Sequence, residues 1–156
     1  MEDYRKMAEA NQRRGREIIA ETQLVESWEA IGAQANLIGS LSTGLMMKKL
    51  DIDMHVYTDT LSIKESFRAA ARIASHPGIV RMEYTNLIDT EEECIEWHAA
   101  YRDRDGRMWK MDMIHIRRGS AYDGFAERMA SRIGAVLTEE TRDAILRLKY
   151  ETPDTE

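Results

Sequence analysis

The segment from residue 36 to residue 58 reads NLIGSLSTGLMMKKLDIDMHVYT and joins an apolar run, a glycine-serine turn and an alternating strand. Residues 51–58 alternate between polar and apolar side chains, as in a β-strand with one buried face. In that strand Asp51 and Asp53 share a face with His55 and Tyr57, while residues 52, 54 and 56 point toward a core. The segment therefore predicts two carboxylates on one strand face, with Cα atoms about 6–7 Å apart.

This pair of carboxylates and the turn before it suit metal and phosphate chemistry. Magnesium prefers oxygen ligands and usually takes one or two carboxylates together with phosphate and water. In the turn, the glycines allow close approach of a ligand, and backbone N–H groups and hydroxyls can donate to phosphate oxygens. The hydroxyl-bearing side chains of the turn are Ser40, Ser42 and Thr43. Taken singly, each feature also has a plainer explanation, a solvated strand face or an ordinary turn.

The same turn does not form a P-loop. Gly39 and Gly44 have the spacing of that motif, but Leu45 and Met46 stand where it requires a lysine and a serine or threonine. Without that lysine, no side chain of the motif reaches the β- and γ-phosphates. A Walker-type nucleotide site is therefore excluded.

Asp112 is a second candidate for metal chemistry, because it lies in the middle of an apolar stretch from residue 108 to residue 116. A buried, unpaired carboxylate is costly, so it needs a metal, a cationic partner or a proton. The sequence leaves two explanations open, a metal ligand or a salt bridge to Lys110 or Arg117. The competing acids for a third ligand position are Glu83, Asp89 and Glu96.

Together, these features resemble the nucleotidyltransferase superfamily of the DNA polymerase β type, in its small, minimal form. That family has a hydrophobic residue followed by Gly and then Gly or Ser, next Asp-x-Asp or Asp-x-Glu between apolar residues, and a third acid on a later strand. The matching positions here are Ile38, Gly39 and Ser40, then Asp51 and Asp53, and finally Asp112. The resemblance covers residues 36–116, about half of the chain.

The resemblance implies a metal-dependent enzyme that moves a nucleoside monophosphate from a nucleoside triphosphate (NTP) to a hydroxyl group. Asp51, Asp53 and Asp112 would be both metal ligands and catalytic residues, with Mg²⁺ or Mn²⁺ as the cofactor. The turn would surround the phosphates through Gly39, Ser40, Ser42 and Thr43. Since a fold does not fix a function, the alternative is a non-catalytic module of the same fold that binds a nucleotide or another ligand.

The whole chain predicts one α+β domain, residues 1–156, with a mixed sheet of about five strands flanked by helices. The core is expected at about 31–118, between an N-terminal helix at 2–30, in one or two pieces, and C-terminal helices at 119–150. Strands are predicted at 35–38, 51–58, 79–87, 94–102 and 107–116, and helices at 62–74, 120–137 and 138–150, with one or two helical turns at 45–49.

Details of the helices are also predicted. Residues 90–93 also match a capping box, which predicts a helical turn before the fourth strand. In the helix at 120–137 four apolar residues share one face: Phe125, Met129, Ile133 and Val136. In the last helix Ala144, Ile145 and Leu148 are expected to point inward. The tail after residue 150 is expected to fray.

Composition limits the partners and the compartment. The net charge of −6 and the isoelectric point of about 5.3 argue against a long nucleic acid, which needs a basic surface, and favour a small-molecule or protein acceptor. The single cysteine, Cys94, excludes an internal disulfide, and His98 and His115 lack a second histidine at zinc-binding spacing. No signal peptide or membrane span is apparent, so a cytoplasmic protein without a membrane partner is expected.

Overall fold

The computed structural model describes residues 3–153 and contains a five-stranded sheet. The strands are β1 (Gln34–Ile38), β2 (Asp51–Thr58), β3 (Ile79–Leu87), β4 (Cys94–Arg102) and β5 (Met108–Arg117), in the order β1-β2-β5-β4-β3. Strands β2 and β5 are parallel and every other neighbouring pair is antiparallel. The predicted mixed sheet is therefore confirmed, with strand bounds within one residue of those expected.

Six helices surround this sheet: α1 (Asp3–Glu21), α2 (Leu24–Glu29), α3 (Gly39–Thr43), α4 (Ile63–Ala74), α5 (Phe125–Val136) and α6 (Glu139–Glu151). The side chain of Ser62 accepts a hydrogen bond from Glu65 N and so begins α4, as its capping box predicts. Thr138 and Thr141 cap the start of α6 reciprocally. None of the helices in residues 3–153 is both long enough and apolar enough to cross a bilayer.

One face of the sheet carries the hydrophobic core. Ile52, Met54 and Val56 of β2 are buried there, as are Met111 and Met113 of β5. Helices α1, α2 and α4 contribute to the same cluster. Three aromatic residues of β4 and β5 are also buried in this cluster: Trp97, Tyr101 and Trp109. The alternation of β2 consequently leaves its acidic residues on the opposite face of the sheet.

Two short helical predictions are wrong. Residues 45–49 are not helical; instead the helical turn α3 comes directly after β1. Gly44 ends that helix in the left-handed conformation. The Ser40 carbonyl accepts hydrogen bonds from Leu45 N and Met46 N, so these residues complete the C-terminal cap of α3 and do not begin a new helix. Residues 90–93 form a turn instead of a helix, in which the Thr90 hydroxyl accepts a hydrogen bond from Glu92 N.

The C-terminal helices also differ from the prediction. Helix α5 begins at Phe125 rather than at residue 120, because residues 118–124 form turns that end in Gly124 at a φ of 76°. Its four apolar side chains share a face, yet all are exposed. In α6 the buried residue is Leu146, while Ala144 and Leu148 are exposed and Ile145 is half-buried. Helix α6 packs against α1 through one narrow stripe, so only one apolar residue is fully covered.

Candidate metal and nucleotide site

The carboxylates of Asp53 and Asp112 meet on the face of the sheet opposite the core. These residues are direct partners in the register of the parallel strands β2 and β5, and His98 of β4 is the partner of Asp112 on its other side. Side chains of paired positions point the same way, so all three line one cavity of about 260 Å³. The parallel pairing of β2 with β5 therefore brings together two acids that lie 59 residues apart in the sequence.

The third predicted acid, Asp51, lies one step along the same strand face and next to basic residues. Its partner in β5 is Lys110. It lines a separate cavity of about 430 Å³, which also has Ser40, Lys49 and Lys149 in its wall. In this conformation the carboxylates of Asp51, Asp53 and Asp112 do not all approach within 4.8 Å of one another, although each pair of neighbours is on the same side of the sheet.

The glycine-serine turn packs directly on Asp53. Gly39 has a φ of 77°, and a Cβ atom added there would lie 2.5 Å from Asp53 Oδ2. Only glycine allows both this conformation and this approach. Gly39 opens α3, whose first backbone N–H groups have no partner within the helix and can receive a ligand. Asp53 and Asp112 are called the acid pair below. The turn is thus placed against the acid pair, as a phosphate-binding turn beside a metal site would be.

The hydroxyl groups of the turn are placed differently from one another. Ser40 contributes to the walls of two cavities, and Ser42 is exposed. The Thr43 hydroxyl donates back to the carbonyl groups of Gly39 and Ser40 at 3.3 Å, which engages it within the helix. Among the predicted phosphate contacts, Gly39 and Ser40 are therefore the best placed.

Charge repulsion is concentrated on Asp53. Burial, together with the negative charges of Asp112 and Asp51, raises the pKa of Asp53 to about 7. Burial also raises the pKa of Asp51, against the opposing effect of Lys110 and Lys49. A pocket in which ionisation of a carboxylate is disfavoured by other carboxylates is one that a divalent cation would stabilise. The oxygen-only donor set of these acids fits Mg²⁺ or Mn²⁺.

A dependence of stability on pH follows from the raised pKa of Asp53. In the unfolded chain the carboxyl ionises near 3.8, whereas in the folded protein it ionises near 7. The contribution of the Asp53 carboxyl to the free energy of unfolding is therefore fully present below about pH 4 and is lost as the pH rises through 7. We expect metal-free Asp53→Asn to be more stable than the wild type at pH 8 by about 1–2 kcal/mol, after allowance for solvent screening.

Urea unfolding of both proteins without divalent metal, at pH 5 and at pH 8, measures this difference. The advantage of Asp53→Asn should be smaller at pH 5, where the wild-type carboxyl is largely protonated when folded. A difference that is the same at both pH values would show that ionisation of the buried Asp53 carboxyl is not its source.

The partner of Asp112 is a histidine, not either of the cations that the sequence offered. His98 Nδ1 donates to Asp112 Oδ1 at 2.6 Å, and His98 Nε2 lies 3.2 Å from Glu96 Oε1. Burial lowers the pKa of His98, but the hydrogen bonds to Asp112 and Glu96 outweigh it and raise the pKa overall. Both ring nitrogens can donate only in the protonated imidazole, which agrees with that direction. Arg117 instead binds Glu93 at 2.7 Å.

His98 is a site residue that the sequence reasoning missed, and it lies beside Glu96, which was considered only as a competitor for the third ligand position. They alternate on β4 and so share the acid face, but their contact with Asp112 depends on the register of β4 and β5. The available signal was the Asp-Gly hairpin at 105–106, which joins the two strands and fixes that register. Of the other competing acids, Glu83 pairs with Arg81 at 2.8 Å on the exposed strand β3.

A second group of possible metal ligands lies beside the acid pair. Within residues 3–153, the side chains of Glu92, Cys94 and Glu96 have ligand atoms within 4.8 Å of one another. Burial, with the negative charges of Glu96 and Glu92, raises the pKa of the Cys94 thiol to about 11. A thiol of that pKa is not an activated nucleophile.

Comparisons with known proteins identify the fold. No protein-family model and no curated protein matches the sequence. Among solved structures, the chain is similar to a mutant of the Cid1 poly(U) polymerase bound to MgATP, with a TM-score of 0.66 at 16% identity over 96% of this chain and 45% of that chain. The chain has a nucleotidyltransferase fold. The polymerase β-type resemblance read from residues 36–116 is thus confirmed at the level of the fold.

Two further solved structures are similar to this chain and support the same fold. A cytoplasmic RNA terminal U-transferase has a TM-score of 0.58 at 14% identity, over 96% of this chain and 46% of that chain. The polymerase core of TRAMP, an RNA surveillance complex, has a TM-score of 0.53 at 16% identity, over 86% of this chain and 39% of that chain. This chain thus spans less than half the length of each of these polymerases.

Proposed function

We propose that this protein is a metal-dependent nucleotidyltransferase that moves a nucleoside monophosphate from an NTP to a hydroxyl group of a small molecule or a protein. The observation that carries the proposal is the pairing of Asp53 with Asp112 on adjacent parallel strands, directly against the turn at Gly39. This arrangement lies in a nucleotidyltransferase fold, on the sheet face away from the core.

In this proposal Asp51, Asp53 and Asp112 hold Mg²⁺ or Mn²⁺. Bound ions would neutralise the phosphates and align the attacking and leaving oxygens. The acceptor oxygen attacks the α-phosphorus, the bond from that phosphorus to the bridging oxygen breaks, and pyrophosphate leaves. Asp112 accepts the proton of the acceptor hydroxyl, while His98 orients the Asp112 carboxylate through the 2.6 Å hydrogen bond.

The other end of the NTP is assigned to the turn and the nearby lysines. Backbone N–H groups at Gly39 and Ser40 would donate hydrogen bonds to phosphate oxygens, with Ser42 and Thr43 at the edge of the turn. The cavity shared by Ser40 and Asp51 also has Lys48, Lys49 and Lys149 in its wall, which makes it the cationic part of the site. A strongly charged triphosphate tail matches this composition.

The choice of acceptor rests on charge. The neighbours are named for poly(U) polymerase and RNA terminal U-transferase activities. This chain has a net charge of −6, and Glu92 and Glu96 lie on the side of the acid pair that β4 forms. Those charges repel a polynucleotide backbone, which supports a small-molecule or protein acceptor. A cytoplasmic location is carried in the proposal as an expectation from the sequence.

Two observations favour the second candidate, a nucleotide-binding module without turnover. The three acids do not converge within 4.8 Å, and His98 occupies one oxygen of Asp112. Transfer of radioactive label from α-³²P-labelled NTPs to candidate acceptors distinguishes the two functions. Binding of MgNTP without pyrophosphate release, across small hydroxyl compounds and proteins of the host lysate, would favour the binding module.

Binding of an NTP is the first requirement of both candidates. We expect millimolar MgATP to raise the melting temperature by several degrees, because a ligand that binds only the folded state stabilises it by about 2.7 kcal/mol at a hundred times its Kd. Differential scanning fluorimetry with ATP, GTP, CTP and UTP, each with Mg²⁺ or with EDTA, measures the shift. A shift that is equal with and without metal, or no shift with any NTP, would count against the site.

A further inference from the structure

Helix α5 presents an apolar surface that the core of the protein does not use. Phe125, Met129 and Ile133 recur at intervals of four residues and are 50%, 41% and 36% exposed. They line a cleft of about 530 Å³, whose opposite wall is formed by Ile38, Leu45 and the turn at Gly39 and Ser40. An apolar cleft of this size, with few polar groups, has the character of a ligand site.

The cleft is continuous with the site proposed for the triphosphate and the metal. Gly39 and His55 also line the cavity of Asp53 and Asp112, and Ser40 and Lys149 also line the lysine-rich cavity. The cleft therefore begins where the phosphates of the NTP are proposed to lie. It extends on the β1 side of the acid pair, away from β4, on which His98 and Glu96 lie.

We propose that this cleft holds the nucleobase of the NTP, and that α5 selects purines over pyrimidines by apolar contact area. The inference rests on the proposed function, since it assigns the remaining part of the same substrate. Within the described residues, the polar side chains of the cleft are His55, Ser40, Thr43 and Lys149, and no carboxylate, amide or guanidinium group lines it. The bidentate hydrogen-bonding groups that read base edges most specifically are therefore absent from the described side chains that line this cleft.

Base size then becomes the main source of selectivity. A base enclosed between Phe125 and Ile38 removes apolar surface from water, and a purine removes more than a pyrimidine. Stacking on an aromatic ring tolerates any base. ATP and GTP should therefore bind with similar affinity, and each several-fold more tightly than UTP and CTP.

The test compares a nucleotide with its phosphate tail alone. Isothermal titration calorimetry measures MgATP, MgUTP and Mg-tripolyphosphate binding to the wild type, to Met129→Glu and to Ala130→Trp, which fills the cleft. We expect both variants to lose about tenfold or more in MgATP affinity. Their affinity for Mg-tripolyphosphate should not change. The control is Val136→Glu on the same helix, where the side chain is 75% exposed and does not line the cleft.

The outcomes separate the inference from the function on which it rests. Wild-type binding of Mg-tripolyphosphate as tight as that of MgATP, or variants that keep the wild-type ratio of the two affinities, would overturn the base pocket and leave the enzyme proposal standing. No binding of either ligand to the wild type would overturn both. Sedimentation of Met129→Glu as a monomer when the wild type is a dimer would instead assign α5 to an interface between copies.

Discussion

Replacing Asp53 by asparagine is expected to reduce nucleotidyl transfer by on the order of a thousandfold while the protein stays folded. Asp53 is the central acid: it is the register partner of Asp112, it lies two residues from Asp51, and it packs against Gly39. Asparagine keeps the size of the side chain but removes the charge that a divalent cation requires. The increase in melting temperature that Mg²⁺ and ATP together produce should disappear with the activity.

The loss has to be separated from damage to the fold. Initial rates with α-³²P-labelled ATP over a range of Mg²⁺ concentrations give the activity, and melting without metal gives the stability. Asp59→Asn is the matched control, because Asp59 follows the same strand, is largely exposed and pairs with Arg118 at the surface. Suppose that Asp53→Asn is at least as stable as the wild type without metal, and that its activity with Mg²⁺ is within tenfold of the wild type. That result would remove Asp53 from the proposed metal site.

Most of the sheet is predictable from the sequence because its strands have local signals. The alternation in β2 separates Ile52, Met54 and Val56 from the acidic face, and the Asp-Gly turn at residues 105–106 joins β4 to β5. The pairing of β2 with β5 is not a local property. It follows from packing of the whole chain, so the sequence can nominate Asp112 but cannot show that it lies opposite Asp53.

The same limit explains the missed partner of Asp112. Lys110 and Arg117 are near in sequence, whereas His98 reaches Asp112 from the neighbouring strand. Sequence spacing favours partners on the same strand, but cross-strand neighbours are closer in a sheet. The separation of Asp51 into a cavity with Lys49 likewise depends on where the loop before β2 lies, and no periodic pattern records that.

The apolar residues of α6 were misplaced for a different reason, and α5 shows the same limit. The predicted apolar face of α5 is present, and Met129 and Ile133 lie on it. Periodicity identifies an apolar face but does not say what covers it. On α5 that face borders a cleft rather than the core, and on α6 contact with α1 covers only Leu146.

The turn at Gly39, which precedes β2, is also expected to be sensitive to substitution. Gly39→Ala is expected to destabilise the protein by about 1–2 kcal/mol through its left-handed backbone and by a further ~1–3 kcal/mol through contact of the new methyl group with Asp53. Gly106→Ala isolates the first effect, because Gly106 has a φ of 82° and no atom within 4 Å of an added Cβ. Urea unfolding of the two variants should therefore differ by the contact with Asp53 alone.

Through the same contact, the turn is expected to affect the proposed activity. An added methyl group would lie 2.5 Å from Asp53 Oδ2, so the carboxylate must move, and a displacement of about 1 Å in a reacting group can lower a rate about a hundredfold. Gly39→Ala should lose activity to that extent, while Gly106→Ala keeps it. In an Asp53→Ala background the excess destabilisation of Gly39→Ala should shrink, because the carboxylate atom at 2.5 Å is gone while Asp53 Cβ stays at 3.1 Å. Equal destabilisation by the alanine substitutions at positions 39 and 106 would show that the turn adjusts without moving Asp53.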